Sequence, residues 1–301
     1  MIQGPDARAD RFLTDLAAIT RRIERAQNQI TSGRRLNQVS DAPDEVSRLL
    51  QIRAELSSTE QIHFNLGRVQ TEVDSAEQAL QHGVLLMDRV SVLAAQGANG
   101  TLGASERRSI SVEVGTLLEQ LVNLTGTAVE GRYLFSGDAD QTVPYQLNLN
   151  LYNPFSAYQG STSTRQVQHP SGQRFSVALT ADQIFDDPTP GNSVFQAVND
   201  LRQALAADDP AAINQAMTLV RSSSAHLNNQ LAYYGTVQNQ VREALDSSSS
   251  KELQLHQQIS NIQDTDLASA ILELNNAQLQ QRATLSAEGQ RSRETLFNYL
   301  R

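Results

Sequence analysis

The side chains that most often carry enzyme chemistry are few and scattered in this chain. It has five histidines and no cysteines, and no two histidines show the i, i+4 spacing with an intervening glutamate that a helical zinc site uses. The glycine-rich stretch 97–103 contains no lysine, the residue with which a phosphate-binding loop contacts its ligand. A Gly-x-Ser-x-Gly motif, which marks a hydrolase nucleophile, does not occur. The sequence therefore predicts no enzyme activity, no catalytic residue, no cofactor and no nucleotide site.

The acidic residues also favour a surface role over a binding site. Adjacent acids occur at 186–187 and 208–209, and neighbouring carboxylates in a loop are usually hydrated, so we predict no metal site there. The net charge is -9, although residues 1–40 carry seven arginines and four acids, so the middle of the chain holds the acidic excess. An acidic surface repels nucleic acid. No apolar run approaches the length of a membrane span. We therefore expect neither nucleic acid nor membrane insertion among its interactions.

Both ends of the chain carry a narrow apolar stripe with helical spacing. At each end the apolar residues recur at alternating steps of three and four, as in the seam of a coiled coil. A single amphipathic helix cannot bury such a stripe, so each end needs another helix as partner. We predict an assembly interface formed by Leu16, Ile19, Ile23, Ile30, Leu267, Ile271, Leu274 and Leu285. Assembly, rather than catalysis, is the first functional hypothesis.

The middle of the chain reads as long helices interrupted by one short β-rich segment. Apolar residues keep the helical rhythm through 62–94 and 110–124, then through a short helix at 194–205 and a further one that starts at 209–210 and carries 213–245. Alternating residues at 145–151 and the runs 165–169 and 174–179 predict strands, with a hairpin turn at 170–172. The predicted fold is mainly α, a long antiparallel helical rod or coiled coil with paired terminal helices and a small β-rich insertion domain. We predict three domains: 1–40 with 260–301 for assembly, 41–136 with 192–259 as the rod, and 137–191 as the outer insertion.

Several short motifs are similar to those of a known family. TSGRRLN at 31–37 with SDAP at 40–43, and IQDTDL at 262–267, resemble the two signatures of the bacterial flagellin superfamily. GANGTL at 97–102 and GRYLFSG at 131–137 resemble its hook-filament junction branch more than filament flagellin. The residues that carry the likeness are Ser32, Gly33, Arg34, Asn37, Asp41, Gly131, Tyr133, Phe135, Gly137, Asp264 and Asp266.

The resemblance implies a structural component of the bacterial flagellum that connects hook to filament by helical subunit assembly. The three predicted domains would then correspond to the inner, rod and outer domains of a flagellin-like fold, with Arg34, Arg35 and Asp41 fixing the bend between the first two. The implied partners are further copies of the chain in a ring or layer, the other junction protein (hook-associated protein 1), flagellin and a flagellar export chaperone. The implied location is extracellular, after type III export without a cleaved signal peptide.

Two alternatives stay open at this point. The chain is a filament flagellin if its similarity to the junction branch is coincidental. It is a cytoplasmic coiled-coil adaptor if the terminal stripes serve only intracellular helix pairing. The location of the protein distinguishes the three hypotheses: the hook-filament junction, the whole filament, or the cytoplasm.

Overall fold

The computed structural model describes residues 7–36, 42–148 and 151–299, and these residues form mainly α-helices. The helices are α1 (Ala7–Ser32), α2 (Pro43–Gly97), α3 (Ala104–Leu124), α4 (Ala181–Phe185), α5 (Val194–Ala206), α6 (Pro210–Gln263) and α7 (Leu267–Tyr299). The strands are β1 (Ala128–Val129), β2 (Arg132–Tyr133), β3 (Gln166–Gln168) and β4 (Arg174–Ser176). The prediction of a mainly α fold with paired terminal helices and a small insertion is confirmed, since α1 packs on α7 and the strands lie between α3 and α4.

The chain divides into two compact units. The first unit joins Met1–Ser58 with Ser250–Arg301, and the second is Thr59–Ser249. These boundaries differ from those of the predicted assembly domain, and residues 137–191 cluster with the helices of the second unit. The division into three domains therefore stays a prediction.

The second unit has one continuous hydrophobic core that also holds the insertion in place. Phe185 stacks on Phe195 with ring centroids 5.6 Å apart. Phe135 meets the edge of Phe185 at 6.1 Å, and Tyr145 meets Phe195 at 5.2 Å. Because aromatic pairs add to the free energy gained by burying their area, this cluster fixes the irregular segments against α4 and α5.

The insertion contains less regular β-structure than the sequence predicts. β3 and β4 form an antiparallel hairpin with Val167 opposite Phe175, as expected from the runs at 165–169 and 174–179. The predicted strand at 145–151 is instead irregular in its described part, with one isolated bridge between Leu147 and Phe155. Tyr145 is buried among aromatic rings. The apolar residues that alternate in 145–151 therefore reflect packing of side chains into the core and not pairing with a neighbouring strand.

A run of polar residues leaves α6 continuous. Residues 247–250 are four serines, yet α6 continues through them to Gln263. Ser248 is fully buried, and its hydroxyl donates to the Thr59 carbonyl oxygen at 3.3 Å. A serine whose hydroxyl has a buried acceptor does not compete with the helix backbone, so the helix persists.

Candidate assembly surface

The two terminal helices pack through small side chains. Ala26 on α1 and Ala270 and Ala277 on α7 are each at most 4% exposed. The predicted residues Leu16, Ile19, Ile23 and Ile30 are all half-buried. Their spacing places them on the same side of α1 as Ala26. The N-terminal part of the predicted interface thus lies on the side of α1 that packs within the chain.

One polar contact fixes the register of this helix pair. The Arg22 guanidinium donates to Glu273 Oε1 at 2.7 Å and to Gln280 Oε1 at 2.8 Å. The hydrogen bond between Arg22 and Glu273 lowers the pKa of Glu273 and raises that of Arg22. Both partners stay more than a third exposed, so the pair contributes more to alignment than to stability.

The C-terminal part of the predicted interface is largely open. Leu267, Ile271 and Leu285 are 49%, 48% and 50% exposed, whereas Leu274 is half-buried. Their spacing places them in one row along the flank of α7, next to the alanines that face α1. We call Leu267, Ile271, Leu274 and Leu285 the flank row. The structure therefore separates the eight predicted residues into a set on the packed side of α1 and a row on α7 that is mostly free.

The sequence analysis missed further exposed leucines on α1 and α7. Leu272 and Leu279 on α7 are both 62% exposed, and Leu13 on α1 is 59% exposed. Leu272 and Leu279 are seven residues apart, so they share a face. Their angular position on the helix lies far from the flank row. The seven-residue spacing of Leu272 and Leu279 could have predicted this second apolar face, but the flank row has more apolar residues and was chosen instead.

The two family motifs meet at the ends of the terminal helices. Gly33 follows α1 with φ of +67°, and its carbonyl oxygen accepts from the Thr265 amide at 3.0 Å. The Arg35 amide donates to the Gln263 carbonyl oxygen at 2.7 Å. Arg34 and Asp264 pair between these two bonds as an antiparallel bridge. The signatures near the two ends of the chain thus form one backbone clasp.

Side chains reinforce this clasp from both motifs. Arg35 donates to the Ile262 carbonyl oxygen at 2.9 Å and also pairs with Glu45. Gln263 is 5% exposed, and its side-chain oxygen accepts from Arg53 at 2.8 Å. These contacts join the residues after α1 to α2 and to the end of α6. The role expected of Arg34, Arg35 and Asp41 at a bend between domains stays a prediction.

Two further signature residues act at helix ends. Asp266 precedes α7 and accepts from the Ser269 hydroxyl at 2.8 Å, a bond that lowers the Asp266 pKa. Its other oxygen accepts from the Ala268 amide at 3.0 Å, as an N-cap does. Ser32 at the end of α1 donates to the Asn28 carbonyl oxygen at 2.7 Å. Asn37 and Asp41, also predicted as signature residues, lie outside the described residues.

The remaining signature residues shape the second unit. Gly131 has φ of +76° in the turn between β1 and β2, where a left-handed conformation is required. Phe135 is fully buried. Gly137 has φ of +60°, and a β-carbon there would lie 2.2 Å from the Ser161 carbonyl oxygen, so only glycine fits. Tyr133 is half-buried, and its amide donates to the Asp140 carbonyl oxygen at 2.8 Å. These residues shape turns and the core of the second unit.

His226, Asp186 and Asp187 each contact a hydrogen-bonding group of the chain. His226 is 8% exposed and lies with Nε2 3.0 Å from the Gln183 carbonyl oxygen. Asp186 accepts from the Ser193 hydroxyl at 2.7 Å, and Asp187 accepts from the Thr189 amide at 2.7 Å. Across residues 7–36, 42–148 and 151–299 there is no group of three acidic, histidine or cysteine side chains placed to hold a metal ion. No helix within those ranges combines the length and hydrophobicity needed to cross a bilayer.

Comparisons with known proteins place this architecture. The family model of the bacterial flagellin N-terminal helical region matches residues 8–140, and that of the flagellin C-terminal helical region matches 212–300. Flagellar hook-associated protein 3 of Escherichia coli K12 is 24% identical over 288 residues, covering 87% of this chain and 89% of that protein. The flagellar filament 30.7 kDa core protein of Treponema maltophilum is 22% identical, covering 83% and 82%.

A solved structure has the same fold. The putative flagellar hook-associated protein from Vibrio parahaemolyticus superposes with a TM-score of 0.65 at 20% identity, covering 74% of this chain and all of that one. The two family models together span most of the chain and include both halves of the clasp between Gly33 and Thr265. This chain belongs to the bacterial flagellin family, whose members are structural proteins of the flagellum.

Proposed function

We propose that this chain is a hook-filament junction protein, a structural layer between the flagellar hook and the filament. The observation that carries the proposal is its similarity to a hook-associated protein 3 along nearly the full length of both chains. The two motifs that resemble the junction branch, at 97–102 and 131–137, support the same assignment.

The terminal helix pair supplies the assembly surface in this proposal. The packed side of α1 holds the pair together, and the flank row on α7 contacts other copies of the chain. Rows of half-exposed leucine and isoleucine gain free energy when a neighbour covers them, at about 25 cal/mol per Å² of apolar area. A layer repeats the same contact by symmetry, so modest contacts suffice. The proposed partners are other copies, hook-associated protein 1, flagellin and an export chaperone that delivers the chain for type III export.

Filament flagellin is the second candidate, because the chain also matches a Treponema filament core protein over most of its length. Deletion of the gene separates the two. Loss of a junction protein leaves cells with hooks and intact flagellin that is shed into the medium. Loss of the flagellin leaves no flagellin in either the cells or the medium, and that result would overturn the junction proposal.

A further inference from the structure

The turn between α2 and α3 contains the one Asn-Gly pair in the sequence, Asn99-Gly100. Glycine has no side chain to shield its amide nitrogen, so this nitrogen can attack the side-chain carbonyl carbon of a preceding asparagine and displace ammonia. Asn99, Gly100 and Thr101 are all exposed, so water reaches the turn. The contacts of the turn decide whether the pair is protected or activated.

Thr101 polarises the side-chain carbonyl group of Asn99. The Thr101 amide donates to Asn99 Oδ1 at 3.1 Å, and the Thr101 hydroxyl donates to the same oxygen at 3.0 Å. This Asx turn folds the Asn99 side chain back over the Gly100 peptide. Attack on the side-chain carbonyl carbon places negative charge on Oδ1, and donors aimed at such an oxygen stabilise that charge. The two donors of Thr101 are therefore placed as those of an oxyanion hole are.

A buried arginine acts on the attacking nitrogen. Arg107 is 5% exposed and donates through Nη2 to the main-chain carbonyl oxygen of Asn99 at 3.1 Å. Its other donors hold it in place, since Nε donates to the Gly97 carbonyl oxygen at 2.9 Å and Nη1 to Asp208 Oδ1 at 2.5 Å. The Gly100 nitrogen is conjugated with the Asn99 carbonyl group. A cation at that oxygen therefore stabilises the negative charge that forms when the nitrogen loses its proton.

The attacking and leaving groups have no competing contacts. In the part of the chain that the structure describes, neither the Gly100 amide nor the Asn99 side-chain nitrogen donates a hydrogen bond. The Gly100 nitrogen therefore breaks no bond when it turns toward Asn99, and the departing ammonia gives up no partner.

We propose that Asn99 is a modification site, at which the folded chain itself promotes the conversion of asparagine to aspartate and isoaspartate. The Gly100 nitrogen forms a bond to Asn99 Cγ, the bond from Cγ to the side-chain nitrogen breaks, and the Gly100 amide proton leaves with that nitrogen as ammonia. Water then opens the cyclic imide. Its attack at Cγ gives aspartate, and its attack at the main-chain carbonyl carbon gives isoaspartate. Water is the only co-reactant.

The reaction changes the charge of the turn. Either product adds a carboxylate close to Arg107, which already pairs with Asp208. Isoaspartate also lengthens the main chain of the turn by one carbon atom. Because the released ammonia is lost, the modified fraction of a population of chains rises with the time since synthesis. This inference does not depend on where the protein lies on the flagellum.

The proposal is tested by following deamidation of the purified full-length chain in native buffer and in concentrated urea. The peptide that contains Asn99 gains the mass difference between O and NH, and chromatography separates its aspartate and isoaspartate forms. T101V removes the hydroxyl with little change in volume, and T101S is the matched control that keeps it. G100A shields the attacking nitrogen in both media, and nothing lies within 4 Å of the added β-carbon, so the fold is kept.

We expect the native wild type to deamidate at Asn99 at least as fast as the unfolded chain. T101V should slow the native reaction about 2- to 12-fold, which is the effect of one hydrogen bond, and should leave the rate in urea unchanged. T101S should keep the wild-type ratio of the two rates, and G100A should slow both. A native rate well below the rate in urea, or equal native rates in the wild type and T101V, overturns the proposal. Equal slowing of T101V in both media also overturns it, because the effect would then lie in the local sequence and not in the fold.

Discussion

The clasp between the two terminal motifs depends on one left-handed residue, and a pair of glycine-to-alanine substitutions tests it. Gly33 has φ of +67°, and nothing lies within 4 Å of the position that a β-carbon would occupy. Alanine therefore meets no steric clash there and pays only the backbone strain of a left-handed conformation, about 1–2 kcal/mol. At about 1.4 kcal/mol for each factor of ten, G33A should open the clasp roughly 5- to 30-fold more often.

Gly67 is the matched control. It also has open space around its β-position, but it lies inside α2 and has no positive φ. Alanine at an interior helix position is about 0.5–1 kcal/mol more favourable than glycine. The same chemical change is therefore expected to destabilise one site and stabilise the other.

Native-state hydrogen exchange of the full-length chain provides the assay. The reporters are the Thr265 amide, bound to the Gly33 carbonyl oxygen, and the Arg35 amide, bound to the Gln263 carbonyl oxygen. In G33A both amides should exchange faster, while peptides from residues 59–249 keep their wild-type rates. In G67A, exchange around residue 67 should slow. Unchanged or slower exchange at the clasp in G33A would refute the left-handed geometry and, with it, the clasp.

Three further substitutions probe the packing and the charges. I23D places a charge on the half-buried side of α1 and should lower the free energy of unfolding by about 2–4 kcal/mol and abolish assembly, measured by the yield of flagella with filaments. A17D, at an exposed position of α1, is the control and should have little effect. Normal filaments in I23D would contradict the packing assignment. E72Q removes the charge shared by two arginines and should lower the free energy of unfolding by about 1–3 kcal/mol in urea titrations, while a rise would show that the ion pairs are not formed. Burial raises the pKa of Asp186, so its ionisation opposes folding and stability falls as pH rises through that pKa. D186N keeps an acceptor for the Ser193 hydroxyl and should stabilise the chain more at pH 7 than at pH 4, and a larger gain at pH 4 would be inconsistent with the raised pKa.

The helices were predictable because their apolar periodicity is strong over many turns. The helical rhythm expected at 62–94 and at 110–124 lies inside α2 (Pro43–Gly97) and α3 (Ala104–Leu124). The strand expected at 145–151 failed, since the aromatic core that buries Tyr145 is assembled from residues distant in sequence. Apolar periodicity shows which face of a helix or strand is buried. It does not show which side chains, distant in sequence, pack against that face.

The candidate surface was only partly predictable for the same reason. Counting apolar residues on α7 favours Leu267, Ile271 and Leu274, but the residues buried against α1 are Ala270 and Ala277, because close helix packing selects small side chains. The clasp joins residues more than two hundred positions apart, and only the motif resemblance suggested that the two ends belong together.

Immunogold labelling of isolated flagella, with antibodies against this chain, tests the central claim most directly. A junction protein gives a single band at the distal end of the hook, at the base of the filament. Label along the whole filament would instead identify a flagellin, and an unlabelled flagellum with the protein retained in the cytosol would contradict a structural role in the flagellum.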